Sequence, residues 1–209
     1  GGPKFPQPGR IEALLRSHLR SGSEEALSAA TTTLDAMAAG GIYDHVGGGF
    51  HRYATDREWT VPHFEKMLYD NAELPRVYLA GIQAFGGAGG VDAEAAESGS
   101  DDAPGNASTD VDRDERVVRE TFDFIERELR HPDGGLYATL DAQSETADGD
   151  HEEGAFYVWT PEQVGEVVAA SEACDGTDAK LFCERFGVTD TGNFEGATVL
   201  TVSESVADL

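Results

Sequence analysis

Residues 40–71 read GGIYDHVGGGFHRYATDREWTVPHFEKMLYDN, and the fold turns on where this run stops being loop and becomes helix. It holds three of the six histidines (His45, His51, His63), six aromatic residues and five glycines. Glycine frees the backbone for close approach or positive φ, so the side chains around it can converge on one point. From Pro62 the spacing predicts a helix over 62–85, because a first helical turn tolerates proline's missing N–H. On that helix Glu65 and Tyr69 are i,i+4 neighbours, as are Lys66 and Asp70, and His63 and Lys66 are i,i+3. Pro75 predicts a kink or break near Leu74.

Upstream, Ile11, Leu14, Leu15 and Leu19 recur at helical spacing and predict a helix ending near Arg20. Ser21 and Glu24 read as the capping box of a second helix. Its stripe is Leu27, Ala30, Leu34, Met37 and Ala38, and Gly40-Gly41 stops it. Two helices joined this closely form an αα-hairpin. Downstream, residues 86–110 are rich in Gly, Ala, Ser and Asp and read as a flexible acidic insertion. Val118, Phe122, Ile125 and Leu129 then stripe a helix over 112–130. Residues 135–140 and 155–159 read as short strands flanking an acidic loop over 141–154. Thr160, Pro161 and Gln163 form a capped helix start, predicting a helix over 161–170, and a last short helix carries Leu181, Phe182 and Phe186. Beyond Gly187 the chain reads as turns.

Gly40-Gly-Ile-Tyr-Asp and Gly134-Gly-Leu-Tyr each follow a helix and mark a weak internal repeat. Helical hairpins with glycine-aromatic loops at one end suggest an α/α toroid. The expected fold is therefore all-α: helical hairpins forming part of an α/α toroid, with short antiparallel β-pairs in the loops. One partial domain spans 1–209.

Forty acidic residues against fifteen basic give a formal charge of −25 over 209 residues. Such a balance argues against nucleic acid and anionic membrane surfaces as partners. Acid excess with only three lysines (Lys4, Lys66, Lys180) points to a high-salt cytoplasm, where screening reduces self-repulsion. Cys174 and Cys183 show no CxxC or zinc spacing, which fits a reduced, cytoplasmic pair. No apolar run approaches the ~20 residues that span a bilayer, and no signal peptide is visible.

His63 and Glu65 are candidates for general base and acid, with Lys66 or Arg52 holding an anionic or hydroxylated substrate. His51, His45, Trp59 and Tyr69 join them as candidate substrate-binding groups. The alternative is a polar network that fixes the loop to the helix. His45, His51 and His63 lack standard metal-ligand spacing. Gly47, Gly48 and Gly49 precede no helix directly and carry no Lys-Ser/Thr motif, so no cofactor is expected.

Taken together, GGPKFP at the start, the long run through HFEKMLYDNAEL, and EEGAFYVWT resemble the thioredoxin-domain-containing family typified by spermatogenesis-associated protein 20. The resemblance covers the chain except residues 86–110. It implies a thioredoxin-like domain before this part and later hairpins after it, closing a six-hairpin glycosidase-like toroid. With the acidic composition, it also implies a halophilic archaeal source. By fold analogy with N-acylglucosamine 2-epimerase it implies a sugar ligand and epimerase- or hydrolase-like chemistry. Asp141 is then a third candidate catalytic group, because it follows the strand where the related loop places an acid. The family usually has Asp-Ala-Asp-Ser here, whereas this chain has Asp141-Ala142-Gln143-Ser144, so a paired carboxylate is lost. A second reading is a non-catalytic module that binds a ligand or partner and serves the thioredoxin-like domain. A chain of a few hairpins should also leave apolar helix faces uncovered and self-associate through them.

Overall fold

The computed structural model describes residues 2–88, 111–146 and 148–203. Four helices form its main body: α1 (Pro8–Ser21), α2 (Glu24–Ala39), α3 (Leu68–Ala88) and α4 (Val111–Phe124). α1 packs on both α2 and α3, and α3 packs on α4. Their buried stripes are Ile11 and Leu15, then Leu27, Leu34 and Met37, then Leu74, Val77 and Tyr78, then Val117 and Val118. The expected hairpin stripes thus supply much of the core, with Leu14 partly buried at its edge, but Leu19 of the predicted α1 stripe is exposed. The cap of α2 differs from the sequence reading. Ser23, not Ser21, accepts the Ala26 N–H at 3.3 Å, while the Ser21 hydroxyl bonds back to Ser17 within α1. The chain is mostly helical with short antiparallel strand pairs.

The loop after α2 is itself core. Ile42, Tyr43, Phe50, Ala54 and Trp59 pack into the same cluster as the helices. Gly40 and Gly41 are required here by close approach: a Cβ on Gly40 would stand 2.6 Å from the Trp59 carbonyl, and one on Gly41 2.1 Å from that of Thr60.

The predicted start of the third helix is corrected. Residues 62–65 are extended, Lys66–Met67 form strand β1, and α3 begins at Leu68. Burial alternates along the segment: Pro62, Phe64 and Lys66 are buried, while His63 and Glu65 are half-exposed. That is the period of a strand. Its backbone groups are met across the loop, by Arg52 N–H to Glu65 O at 2.7 Å, His63 N–H to Tyr53 O at 2.9 Å, and Thr55 N–H to Val61 O at 2.8 Å. Pairing across the loop satisfies these groups where a helical turn would leave the loop side open. α3 then runs through Pro75 without a break. It reaches Ala88, three residues into the stretch assigned to the acidic insertion; the rest of that stretch lies outside the described residues.

α4 ends at Phe124 and passes into a π-turn, Ile125–Leu129, where one continuous helix was expected. Strand β2 (Thr139–Leu140) pairs antiparallel with β1, Lys66 opposite Leu140. The loop expected over 141–154 contains a hairpin, β3 (Gln143–Glu145) with β4 (His151–Glu153). Strand β5 (Val158–Trp159) pairs with β6 (Thr198–Val199), an element the sequence reading left as turn. Between them stand α5 (Pro161–Ala169), with the predicted Thr160–Gln163 capping box in place, and α6 (Gly176–Phe186). Cys174 and Cys183 are free thiols.

Candidate functional site

Alternation across β1 separates two sets of groups. His63 and Glu65 share the outer face, and Phe64 and Lys66 the inner one.

On the inner face the Lys66 ammonium is 1% exposed. Its Nζ donates to Asp44 Oδ2 at 2.7 Å and to Gly48 O at 2.8 Å. It lies 4.4 Å from the Phe124 ring centroid and 5.0 Å from that of Tyr157. Asp44 is fixed in turn, its Oδ1 accepting the N–H groups of Val46 at 3.0 Å and Gly47 at 2.8 Å. Burial opposes its charge, but Lys66 and the Gly47 N–H outweigh burial and hold the carboxyl below its ordinary value. Burial draws the Lys66 amine below its ordinary value against the pull of Asp44. Gly48 and Gly49 sit at φ +73° and +80°. A Cβ on Gly49 would meet Phe124 at 2.6 Å, so the glycines let the turn pass under that ring. Asn71 on α3 locks the turn, accepting the Phe50 N–H at 2.6 Å and donating to Phe50 O and Met67 O, both at 2.9 Å.

This pair stands in the wall of a cavity of about 810 Å³. Phe124, Phe156, Tyr157 and Trp159 supply aromatic surface, and Arg127, Glu128, Asp141 and Gln143 supply polar groups. The π-turn carries two of these: Arg127 donates to Gly47 O at 2.6 Å and pairs with Glu128 at 2.7 Å. Asp141 Oδ1 accepts the Gln143 N–H at 3.1 Å. A second cavity, about 580 Å³, shares Phe156 and Trp159 but is walled by Glu145, Glu152, Glu153, Glu166 and Glu195.

Of the eight residues singled out from the sequence, Asp141 lines the larger cavity. His63 Nδ1 lies 2.7 Å from Glu153 Oε1 and stacks on Tyr53. Glu65 Oε2 takes Arg52 Nη1 at 2.8 Å, and its Oε1 takes the Thr139 hydroxyl at 3.4 Å. The structure brings Arg52 to Glu65 through paired extended backbone. Tyr69 is exposed at the start of α3; hydrogen bonding to Glu65 first, and to the Tyr69 hydroxyl second, raises the pKa of the Arg52 guanidinium. Trp59 is core, with the Lys4 ammonium 4.0 Å over its ring.

His51 is buried with Nδ1 3.0 Å from Phe64 O. A carbonyl only accepts, so Nδ1 carries the proton and Nε2 is a bare lone pair in the neutral ring. Burial first, and the Lys66 charge second, push its pKa down to about 3. His45 mirrors it, with Nε2 3.0 Å from Gly40 O and Nδ1 without a partner among the described residues. Burial lowers its pKa to about 4. Among the described residues no three His, Cys, Asp or Glu side chains are placed to hold a metal ion. No described helix is long and apolar enough to cross a membrane.

Sequence reasoning missed the cavity wall of Phe124, Arg127, Glu128, Tyr157 and Trp159. The signal was present in the quoted EEGAFYVWT run, which carries three of the four aromatics.

The human protein named spermatogenesis-associated protein 20 is 37% identical over 98% of this chain. The chain is homologous to it. The mouse protein of that name is also 37% identical, over 93% of the chain, and an uncharacterised Caenorhabditis elegans protein is 29% identical over 91%. The chain spans about a quarter of the length of these curated relatives (25%, 23% and 24%). No protein-family model matches it.

Proposed function

We propose that the larger cavity takes a carbohydrate or similar polyol and that the protein is carbohydrate-active, epimerase- or hydrolase-like. The observation that carries this reading is the pairing of an aromatic wall with convergent charged and amide side chains in one cavity of about 810 Å³. Aromatic faces take the apolar C–H faces of a sugar ring, and carboxylates, amides and guanidinium groups take its hydroxyls. Asp141 is the acid–base group, and Glu128 supplies a second carboxylate in the same cavity. In this reading the helices are one sector of an α/α toroid of the six-hairpin glycosidase-like class. The family resemblance adds a thioredoxin-like domain as a partner within the intact chain.

Asp141→Asn in the intact protein should abolish turnover of a sugar substrate while leaving sugar affinity within about threefold, because one hydrogen bond of the exposed carboxylate survives as an amide. Unchanged turnover would overturn the assignment of Asp141.

A second reading is a non-catalytic binding module. It is favoured by the engagement of the predicted acid–base groups, His63 with Glu153 and Glu65 with Arg52. Sugar binding without turnover in the wild-type protein would select it.

A further inference from the structure

The Lys66 ammonium has three N–H groups, and Asp44 and Gly48 account for two. The third has no oxygen or nitrogen partner among the described residues. Lys66, Asp44, Phe124 and Tyr157 all line the larger cavity, and the Lys66 ammonium lies between the Phe124 and Tyr157 rings. A clamp on the glycine turn needs only the two bonds already made.

We infer that the third Lys66 N–H donates to an oxygen of the bound ligand and that the site selects uncharged sugars over their carboxylated or phosphorylated counterparts. The inference rests on the sugar-binding reading above. The selection follows from the charges in the wall. Lys66 is matched by Asp44 and Arg127 by Glu128, each at 2.7 Å. Asp141 has no cationic partner among the described residues, so the wall carries net negative charge. An anionic ligand meets Asp141 at short range and a chain of −25 at long range. A neutral acceptor oxygen meets neither. A hydrogen bond from a charged donor held in a buried site exceeds a neutral one, and Lys66 cannot turn away because both its other bonds are to fixed groups. Burial also weakens the hold of the amine on its proton, which sharpens its power as a donor.

Lysine-selective ¹⁵N labelling of the intact protein reports its ammonium groups, and that of Lys66 is distinguished by burial, which slows its exchange with solvent. The probes are glucose, galactose, mannose and N-acetylglucosamine, set against glucuronate and glucose 6-phosphate. Binding is read independently by quenching of Trp159 fluorescence, with Trp159→Phe as the blank. The expected result is that a neutral sugar quenches Trp159, shifts the Lys66 Nζ signal, and binds at least about tenfold tighter than the charged probes. Quenching with an unmoved Lys66 signal, or equal binding of the charged probes, overturns this inference and leaves the sugar-binding reading standing. Failure of every neutral sugar to quench removes both. Lys66→Met should weaken the neutral sugar about tenfold with the helical circular dichroism retained. If that variant does not fold, the ammonium signal of the wild-type protein decides.

Discussion

Lys66 and His51 are both buried, and burial lowers the pKa of both, but their partners differ. Lys66 stays an ammonium because a carboxylate stands 2.7 Å from it. His51 has only a carbonyl on its donor nitrogen and gives up its charge, as does His45. The unfolded chain protonates both rings near pH 6.5, whereas the folded chain refuses protons down to about 4 and about 3. A depressed folded pKa gives stability that is present above the unfolded value and lost as pH falls through the window to the folded one. Asp70 works the other way. Burial raises its carboxyl to about 6, so its contribution is lost as pH rises through that value. Two protons outweigh one, and the general protonation of surface carboxylates falls mostly below about pH 5. Stability should therefore climb between about pH 5 and 6.5 by roughly 1.4 kcal/mol per unit for each net proton. Urea midpoints that stay level or fall over that range would reject the neutral-histidine assignment. None of this was legible in the sequence, because the carbonyl that sets each tautomer is fixed by the fold. For His63 the partner, Glu153, lies ninety residues away.

Elements were legible where one local signal sufficed. The Thr160–Gln163 capping box needs four consecutive residues, and the structure forms it with Gln163 N–H to Thr160 Oγ1 at 3.2 Å and Thr160 N–H to Gln163 Oε1 at 2.9 Å. Thr160→Ala removes the side-chain acceptor and should cost about 1 kcal/mol, lowering Tm by a few degrees in a melt followed by circular dichroism. A loss below a few tenths of a kcal/mol would mean that the cap is not coupled to global unfolding. Residues 62–66 failed as a helix because their alternating burial is set by a loop that folds back on them, a tertiary effect overriding a good N1 proline. The predicted stripe over 112–130 holds at Val118 but fails at Phe122, which is exposed, and Leu129 reaches a buried cluster only through the π-turn, whose extra residue the spacing did not reveal. The repeated Gly-Gly-hydrophobic-Tyr signature also has two uses: Ile42 and Tyr43 are buried, while Leu136 and Tyr137 are half-exposed. Identical local chemistry does not fix burial. Whether a neighbour covers the second copy depends on what packs beside it.

At the scale of the whole molecule the charge of −25 sets the response to salt. Two effects compete. Surface ion pairs such as Glu12 with Arg16 and Glu126 with Arg130 weaken as salt screens them. Repulsion among the excess acids weakens too. At most fifteen of forty acids can find a partner one to one among the fifteen basic residues, which leaves at least twenty-five (40 − 15) repelling one another. Each exposed pair contributes only about 0–1 kcal/mol, so the loss of pairs is the smaller term. The Debye length falls from about 10 Å at 0.1 M to about 3 Å at 1 M, below the usual spacing of surface charges. The pair that holds the glycine turn is shielded from this change, since Lys66 is buried and Asp44 nearly so. Raising potassium chloride from 0.1 to 2 M should therefore raise Tm while the spectroscopic signature of the core stays constant. A Tm that is flat or falling over that range would show that acid repulsion is not the limiting term, and the high-salt origin inferred from composition would go with it.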